Sequence, residues 1–198
     1  NIYGTPPQGC ADYAFFQHII SSLKEDTGRC AILWPHGILF RDAELEMRTK
    51  LIESDVVDCV IGMGPNLFYN SPMDSCIVVC SKNKHEERKG RVLFIRAYDQ
   101  IVKEKTQSFL SDEHISNIHK WYFDFKEIPG RTKIATLEQI RDNNYVINVA
   151  LYARPELSEE HKKDEKSLEE IITDWQTSSQ ELKTSYAELG SILKEVIN

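Results

Sequence analysis

Two short groups of residues have the types and spacing to do chemistry: Trp34-Pro35-His36-Gly37 and Pro65-Asn66-Leu67-Phe68-Tyr69-Asn70. His36 reads either as a loop histidine hydrogen-bonded to backbone or as a general base that titrates near neutral pH. Phe68 and Tyr69 read either as core plugs or as a stacking platform. A base stacked on such a ring gains about 1–3 kcal/mol. Other chemistries are missing from the chain. It contains no Gly-x-Ser-x-Gly elbow, no phosphate-binding P-loop and no Gly-x-Gly-x-x-Gly. The nearest glycine spacing, Gly62-Met63-Gly64, has no third member. The cysteines Cys10, Cys30, Cys59, Cys76 and Cys80 are odd in number and never spaced Cys-x-x-Cys. They read as small core residues of a reduced, cytoplasmic protein, with no metal site expected.

Both groups stand at the ends of apolar runs, as strand-end loops do. Asp12 opens a helical stripe over 11–24, through Ala14, Phe15, Ile19 and Leu23. A short apolar run, 29–33, reads as a buried strand that Pro35-His36-Gly37 ends. A helix over 42–54 follows, with Leu45, Arg48 and Leu51 on its inner face. Strands are expected over 56–63, 75–82 and 91–97. The segment between the second and third strands is too short for a crossover helix, so these two should pair antiparallel. The rest of the alternation predicts a mostly parallel sheet covered by helices. Further on, Ser111 or Asp112 caps a helix presenting Ile115, Ile118 and Tyr122, and Thr136 with Gln139 is spaced as a capping box. Asn143-Asn144 marks a turn, and 145–152 reads as extended.

The last segment differs in kind. Leu168, Trp175, Leu182, Leu189 and Val196 recur every seven residues, with Ile172, Tyr186 and Leu193 in a second row that Ser179 completes. This is a coiled-coil seam, suited to a helical partner or to packing on the chain's own domain. The organisation expected is therefore a first domain over 1–100, an α/β extension over 101–156, and a charged linker with a heptad helix over 157–198.

The chain of 198 residues is 41% hydrophobic and 28% charged, with a net charge of −7. That balance argues against a dominant non-specific DNA surface, which needs clustered Lys and Arg. No run is long and apolar enough for a membrane helix, and the first residues do not resemble a signal peptide.

Three stretches, taken in order, closely resemble the modification subunit of type I restriction-modification enzymes: Thr5-Pro6-Pro7 to Asp12-Tyr13-Ala14-Phe15, Leu33 to Arg41, and Val60-Ile61-Gly62 to Pro65-Asn66-Leu67-Phe68-Tyr69-Asn70. The runs 88–95 and 143–148 are also similar to that family. Trp34 and Pro72-Met73-Asp74 depart from its pattern. The resemblance implies an adenine-N6 DNA methyltransferase dependent on S-adenosylmethionine. It also implies an α/β fold: the C-terminal half of a Rossmann-like methyltransferase sheet, followed by a long C-terminal helix.

In that family the catalytic loop is Asn-Pro-Pro-Phe, and Thr5-Pro6-Pro7-Gln8 is not it. That loop and the glycine-rich cofactor loop are expected upstream, so no catalytic residue is assigned here and the chain alone is expected to be inactive. By the same resemblance Phe68, Tyr69 and Asn70 belong to the target-base pocket, with Asp12, Pro35 and His36 on its rim. The heptad residues Leu168, Ile172, Trp175, Leu182, Tyr186, Leu189, Leu193 and Val196 are expected to dock the specificity subunit. The other expected partners are the restriction subunit and double-stranded DNA, with no membrane. Two alternatives stand beside this reading: a non-catalytic interaction module derived from a methyltransferase, and an unrelated hydrolase using His36.

Overall fold

The computed structural model describes residues 2–68, 71–104, 107–155 and 168–197, the side chains of the last helix being described over 170–186. The chain divides into two units, 1–156 and 157–198. The first holds α1 (Asp12–Ser22), β1 (Arg29–Pro35), α2 (Leu45–Glu53), β2 (Val57–Met63), β3 (Ser75–Ser81) and β4 (Arg91–Ala97). A small hairpin follows, β5 (Val102–Lys103) and β6 (Ser108–Phe109), then α3 (Asp112–Asp124), β7 (Thr132–Thr136), α4 (Leu137–Asp142) and α5 (Val149–Tyr152). The second unit holds α6 (Leu168–Ile197).

The main sheet has the order β1-β3-β2-β4-β7. As expected, β2 and β3 pair antiparallel. The expectation of a mostly parallel sheet is not met, because only β2 and β4 are parallel neighbours. The physical reason is that β3 inserts between β1 and β2 and runs against both. β1, β2 and β4 still point the same way, so their C-terminal ends share one edge of the sheet.

β2 is buried along its whole length, as a central strand covered on both faces must be. One face packs on Phe16 and Ile20 of α1, on Leu51 and Ile52 of α2, and on Val149 of α5, through Val60, Val78 and Phe94. The other face, through Ile61, Met63, Leu93 and Ile95, packs on Ile118, Trp121 and Tyr122 of α3. Each large aliphatic side chain fully buried in this way contributes about 1.5–3 kcal/mol before entropy is counted.

Five local expectations are corrected. The stripe expected for α1 is not its buried face: Ala14 and Phe15 are exposed, Phe15 at 64%, and the larger apolar set at i, i+3 and i+7, Tyr13, Phe16 and Ile20, turns to the core with Gln17. β1 is the edge strand rather than a buried one, and Leu33 is 48% exposed. The helix expected from Asp42 begins as a 3₁₀ turn, Asp42–Glu44, which rotates Leu45 outward and makes Met47, Arg48, Leu51 and Ile52 the inner face. Residues 145–152 are not extended: Asn148 caps α5 by accepting from the Ala150 N–H at 3.1 Å. Ile115 is half exposed, and α3 packs through Ile118, Trp121 and Tyr122 instead. The capping box of α4 is present, with Thr136 and Gln139 exchanging hydrogen bonds of 3.0 and 3.3 Å. The turn at 143–145 is fixed by positive φ at Asn144 and Tyr145. There the Tyr145 carbonyl accepts from Nε of the buried Arg48 at 2.8 Å.

In α6 the heptad side chains Ile172, Trp175, Leu182 and Tyr186 are all exposed, Trp175 at 69%. The side chains of Leu168, Leu189, Leu193 and Val196 lie outside the described residues. No helix among the described residues is long and apolar enough to cross a membrane.

Candidate functional site

The shared edge where β1, β2 and β4 end is where a helix-covered sheet can offer loops to a ligand. Pro35 ends β1 with φ −60° and ψ 138°, and starts a 3₁₀ turn over His36–Leu39. The His36 N–H donates to the Asp74 carbonyl at 3.2 Å, which ties this turn to the entrance of β3. The imidazole stands edge-on to Phe40 at 5.6 Å between ring centroids and to Tyr98 at 6.3 Å. Its Nε2 lies 3.5 Å from the Tyr98 hydroxyl. Burial lowers the pKa of His36, against the upward pull of the Asp74 charge and of a side-chain hydrogen bond with Asn148. The neutral ring is therefore favoured, with Tyr98 beside the ring and Asp74 holding its backbone.

Tyr98 also closes the exit of β2. A Cβ at Gly62 would stand 2.6 Å from Tyr98 Cζ, and one at Gly64 would stand 2.7 Å from Ile101 Cδ1 and from the Tyr98 carbonyl. The two glycines are small because an aromatic ring and an isoleucine already occupy the space above them. They do not form a cofactor cradle.

The loop beyond β2 turns at Asn66, whose φ is +61°. The Asn66 carbonyl accepts from the Ser108 N–H at 2.9 Å, so the β5–β6 hairpin pins the loop. Phe68 follows, half-buried, in an isolated bridge to Ser71. Tyr69 and Asn70 lie outside the described residues.

Asp12 is engaged elsewhere. It is ion-paired with Arg41, whose Nε lies 2.9 Å from Oε2 of the buried Glu44. Burial raises the Glu44 pKa, with Arg41 opposing. The guanidinium packs 3.2 Å from the position a Gly37 Cβ would take. Asp12 thus steadies the His36–Leu39 turn through Arg41.

The sequence reading singled out His36, Pro35 and Phe68 but missed Tyr98, Asn148 and Asp74. Nothing in local spacing marks them, since Tyr98 is 62 positions from His36. A cavity of about 550 Å³ opens at the opposite end of the strands. Among its lining residues Arg88 pairs with Asp58 at 2.9 Å, and Lys84 reaches Asp55 at 2.6 Å, so these charges form structural ion pairs. No group of metal-binding side chains occurs among the described residues.

The model of the N-6 DNA Methylase family matches residues 1–161. The chain is 38% identical over 158 residues to the type I restriction enzyme MjaVIII methylase subunit of Methanocaldococcus jannaschii, covering 78% of the chain and 27% of that protein. It is 32% identical over 187 residues to the MjaVII methylase subunit of the same organism, covering 85% of the chain and 32% of that protein. Among solved structures it is similar to the type I restriction-modification system methyltransferase subunit from Streptococcus thermophilus. There the TM-score is 0.71 and the identity 34%, over 77% of this chain and 32% of that one. The chain therefore spans about a third or less of the curated relatives it matches.

Proposed function

The chain belongs to the N-6 DNA methylase family, and from that premise we propose that it is the C-terminal part of a type I restriction-modification methylase subunit that methylates adenine N6 in DNA. In this reading residues 1–100 complete a Rossmann-like methyltransferase domain, 101–156 extend it, and 157–198 dock a partner. The methyl group comes from S-adenosylmethionine. Gly62 and Gly64 are not its cradle, since Tyr98 and Ile101 fill the space above them. The cofactor loop and the Asn-Pro-Pro-Phe motif are assigned to the remainder of the parent subunit.

The part assigned to this chain is to receive the target base. Reaction at N6 requires the adenine to leave the helical stack, and a ring beside the pocket compensates part of the unstacking cost. Phe68 is assigned to that ring, with Tyr69 and Asn70 beside it and Pro35 and His36 on the rim. The observation that carries the reading is the anchoring of the Phe68 loop. The hydrogen bond from Ser108 to Asn66 and the packing of Ile101 over Gly64 support it at the edge where β1 and β4 also end. The neutral His36 ring, held by Tyr98 and Asn148, fits a shape-determining wall better than a proton shuttle.

The test is Phe68→Ala in the parent subunit assembled with its specificity subunit. Loss of one stacking ring is expected to lower kcat/KM by roughly fivefold to 150-fold, the counterpart of about 1–3 kcal/mol, while Phe68→Trp retains most activity. Unchanged kinetics in Phe68→Ala would remove Phe68 from the pocket. The 198-residue chain alone is expected neither to retain S-adenosylmethionine in a filter-binding assay nor to methylate DNA.

The exposed apolar residues of α6 support a second assignment, to the specificity subunit. The restriction subunit and double-stranded DNA then complete the complex in the cytoplasm. With that assignment the acidic balance is no obstacle, because phosphate contacts can lie on the other components.

A further inference from the structure

Cys30 on β1 and Cys80 on β3 are direct register partners in an antiparallel pair, and both thiols are free. Directly opposed residues in such a pair have Cα atoms about 4.5–5.5 Å apart and side chains on one face. Disulfides span Cα separations of about 4.4–6.8 Å, so this pair can close without moving either strand far.

The two thiols are unequal. Cys30 is half-buried on the edge strand, whereas Cys80 is fully buried. Donation from the Cys80 thiol holds the Cys30 pKa down, and the same bond together with burial pushes Cys80 up. The remaining cysteines have a different character. Burial pushes Cys76 up to about 12 and Cys59 well above the ordinary thiol value. Neither is a register partner of another cysteine: Cys59 faces Val79, and Cys76 faces Trp34 and Gly62. Cys10 lies in the turn before α1, away from the sheet.

We propose that Cys30 and Cys80 form a peroxide-responsive dithiol, an oxidation site that closes into a cross-strand disulfide. The Cys30 thiolate attacks one oxygen of hydrogen peroxide. The S–O bond forms, the O–O bond breaks, and the other oxygen leaves as water after taking a proton. The Cys80 sulfur then attacks the Cys30 sulfenic sulfur and displaces hydroxide, which leaves as a second water with the Cys80 proton. Two thiols and one hydrogen peroxide give one disulfide and two waters, the two electrons coming from sulfur. The bond would fasten the edge strand that leads directly into Pro35 and His36.

The experiment is titration of the intact protein with hydrogen peroxide, followed by alkylation, intact mass and a non-reducing peptide map. The expected first product has lost two hydrogens and carries a peptide joining Cys30 to Cys80, reversed by dithiothreitol. Hydrogen exchange across β1 should slow in that product. Cys10→Ser should leave the reaction unchanged, whereas Cys30→Ser and Cys80→Ser should each abolish the crosslink. A first product with Cys30 as sulfinic acid and Cys80 still alkylatable would overturn the proposal. So would a first disulfide involving Cys10. The wild-type peptide map decides the matter even if a serine variant fails to fold.

Discussion

The Tyr98 hydroxyl lies 3.5 Å from His36 Nε2, and the same tyrosine ring occupies the space above Gly62. One side chain from the end of β4 thus sets the position of the histidine after β1 and the residue size allowed in β2.

Gly62→Ala is expected to destabilise the protein by about 1–3 kcal/mol, because the new methyl group overpacks the Tyr98 ring. The cost should shrink in Gly62→Ala/Tyr98→Ala measured relative to Tyr98→Ala. A double-mutant cycle in urea, showing full additivity, would mean that the methyl group is accommodated some other way.

His36 gives a pH dependence of definite sign. Its folded pKa is lowered by burial, so the unfolded chain binds the proton more readily. Its neutral form is compatible with full stability above the unfolded value of about 6.5, and stability falls as the pH drops from there through the lowered folded value. Replacing His36 by Asn should flatten this part of the profile. The check is Tm measured from pH 8 to pH 5 for both proteins, with equal slopes counting against the assignment.

At the other end of the strands, Asp58 accepts from Arg88 at 2.9 Å and from the Tyr122 hydroxyl at 2.7 Å, and all three side chains are largely withdrawn from water. Arg88→Ala leaves a buried carboxylate without its cation and should cost about 3–5 kcal/mol. Tyr122→Phe should cost about 1–3 kcal/mol, the range for a hydrogen bond to a charged group. Chemical denaturation of the two variants gives the ordering, and a larger loss for Tyr122→Phe would contradict it.

The α6 assignment is tested with the parent subunit. Trp175, the most exposed of the described heptad residues, is expected to act as a binding hot spot, so Trp175→Ala should weaken binding of the specificity subunit by at least ~2 kcal/mol, near thirtyfold. Glu181→Gln on the same helix serves as the comparison. Equal affinities for both variants by calorimetry would place the docking surface elsewhere.

The elements with strong local signals were legible in the sequence. The helical extent of α1, the continuous runs of β2, β3 and β4, and the Thr136–Gln139 cap of α4 were each readable from a few neighbouring residues, because periodicity and capping are local chemistry. The buried face of α1 was not, since Tyr13, Phe16 and Ile20 turn inward while Phe15 is exposed. The family was readable in the same way, from short motifs standing in order. Strand order was not. Whether β1 is central or at an edge depends on β3 threading between β1 and β2, and the side-chain pattern of β1 carries no record of its neighbours. The Asp12–Arg41 pair was not readable for a related reason: Arg41 comes from the segment between β1 and α2. The floor around His36 was also beyond sequence reading. Tyr98, Asn148 and Asp74 come from three separate segments, and they meet only when the sheet is assembled. Sequence alone determined the strongly patterned elements and the family. Tertiary structure decided which residues face one another, because contacts across a sheet edge are set by topology and not by spacing along the chain.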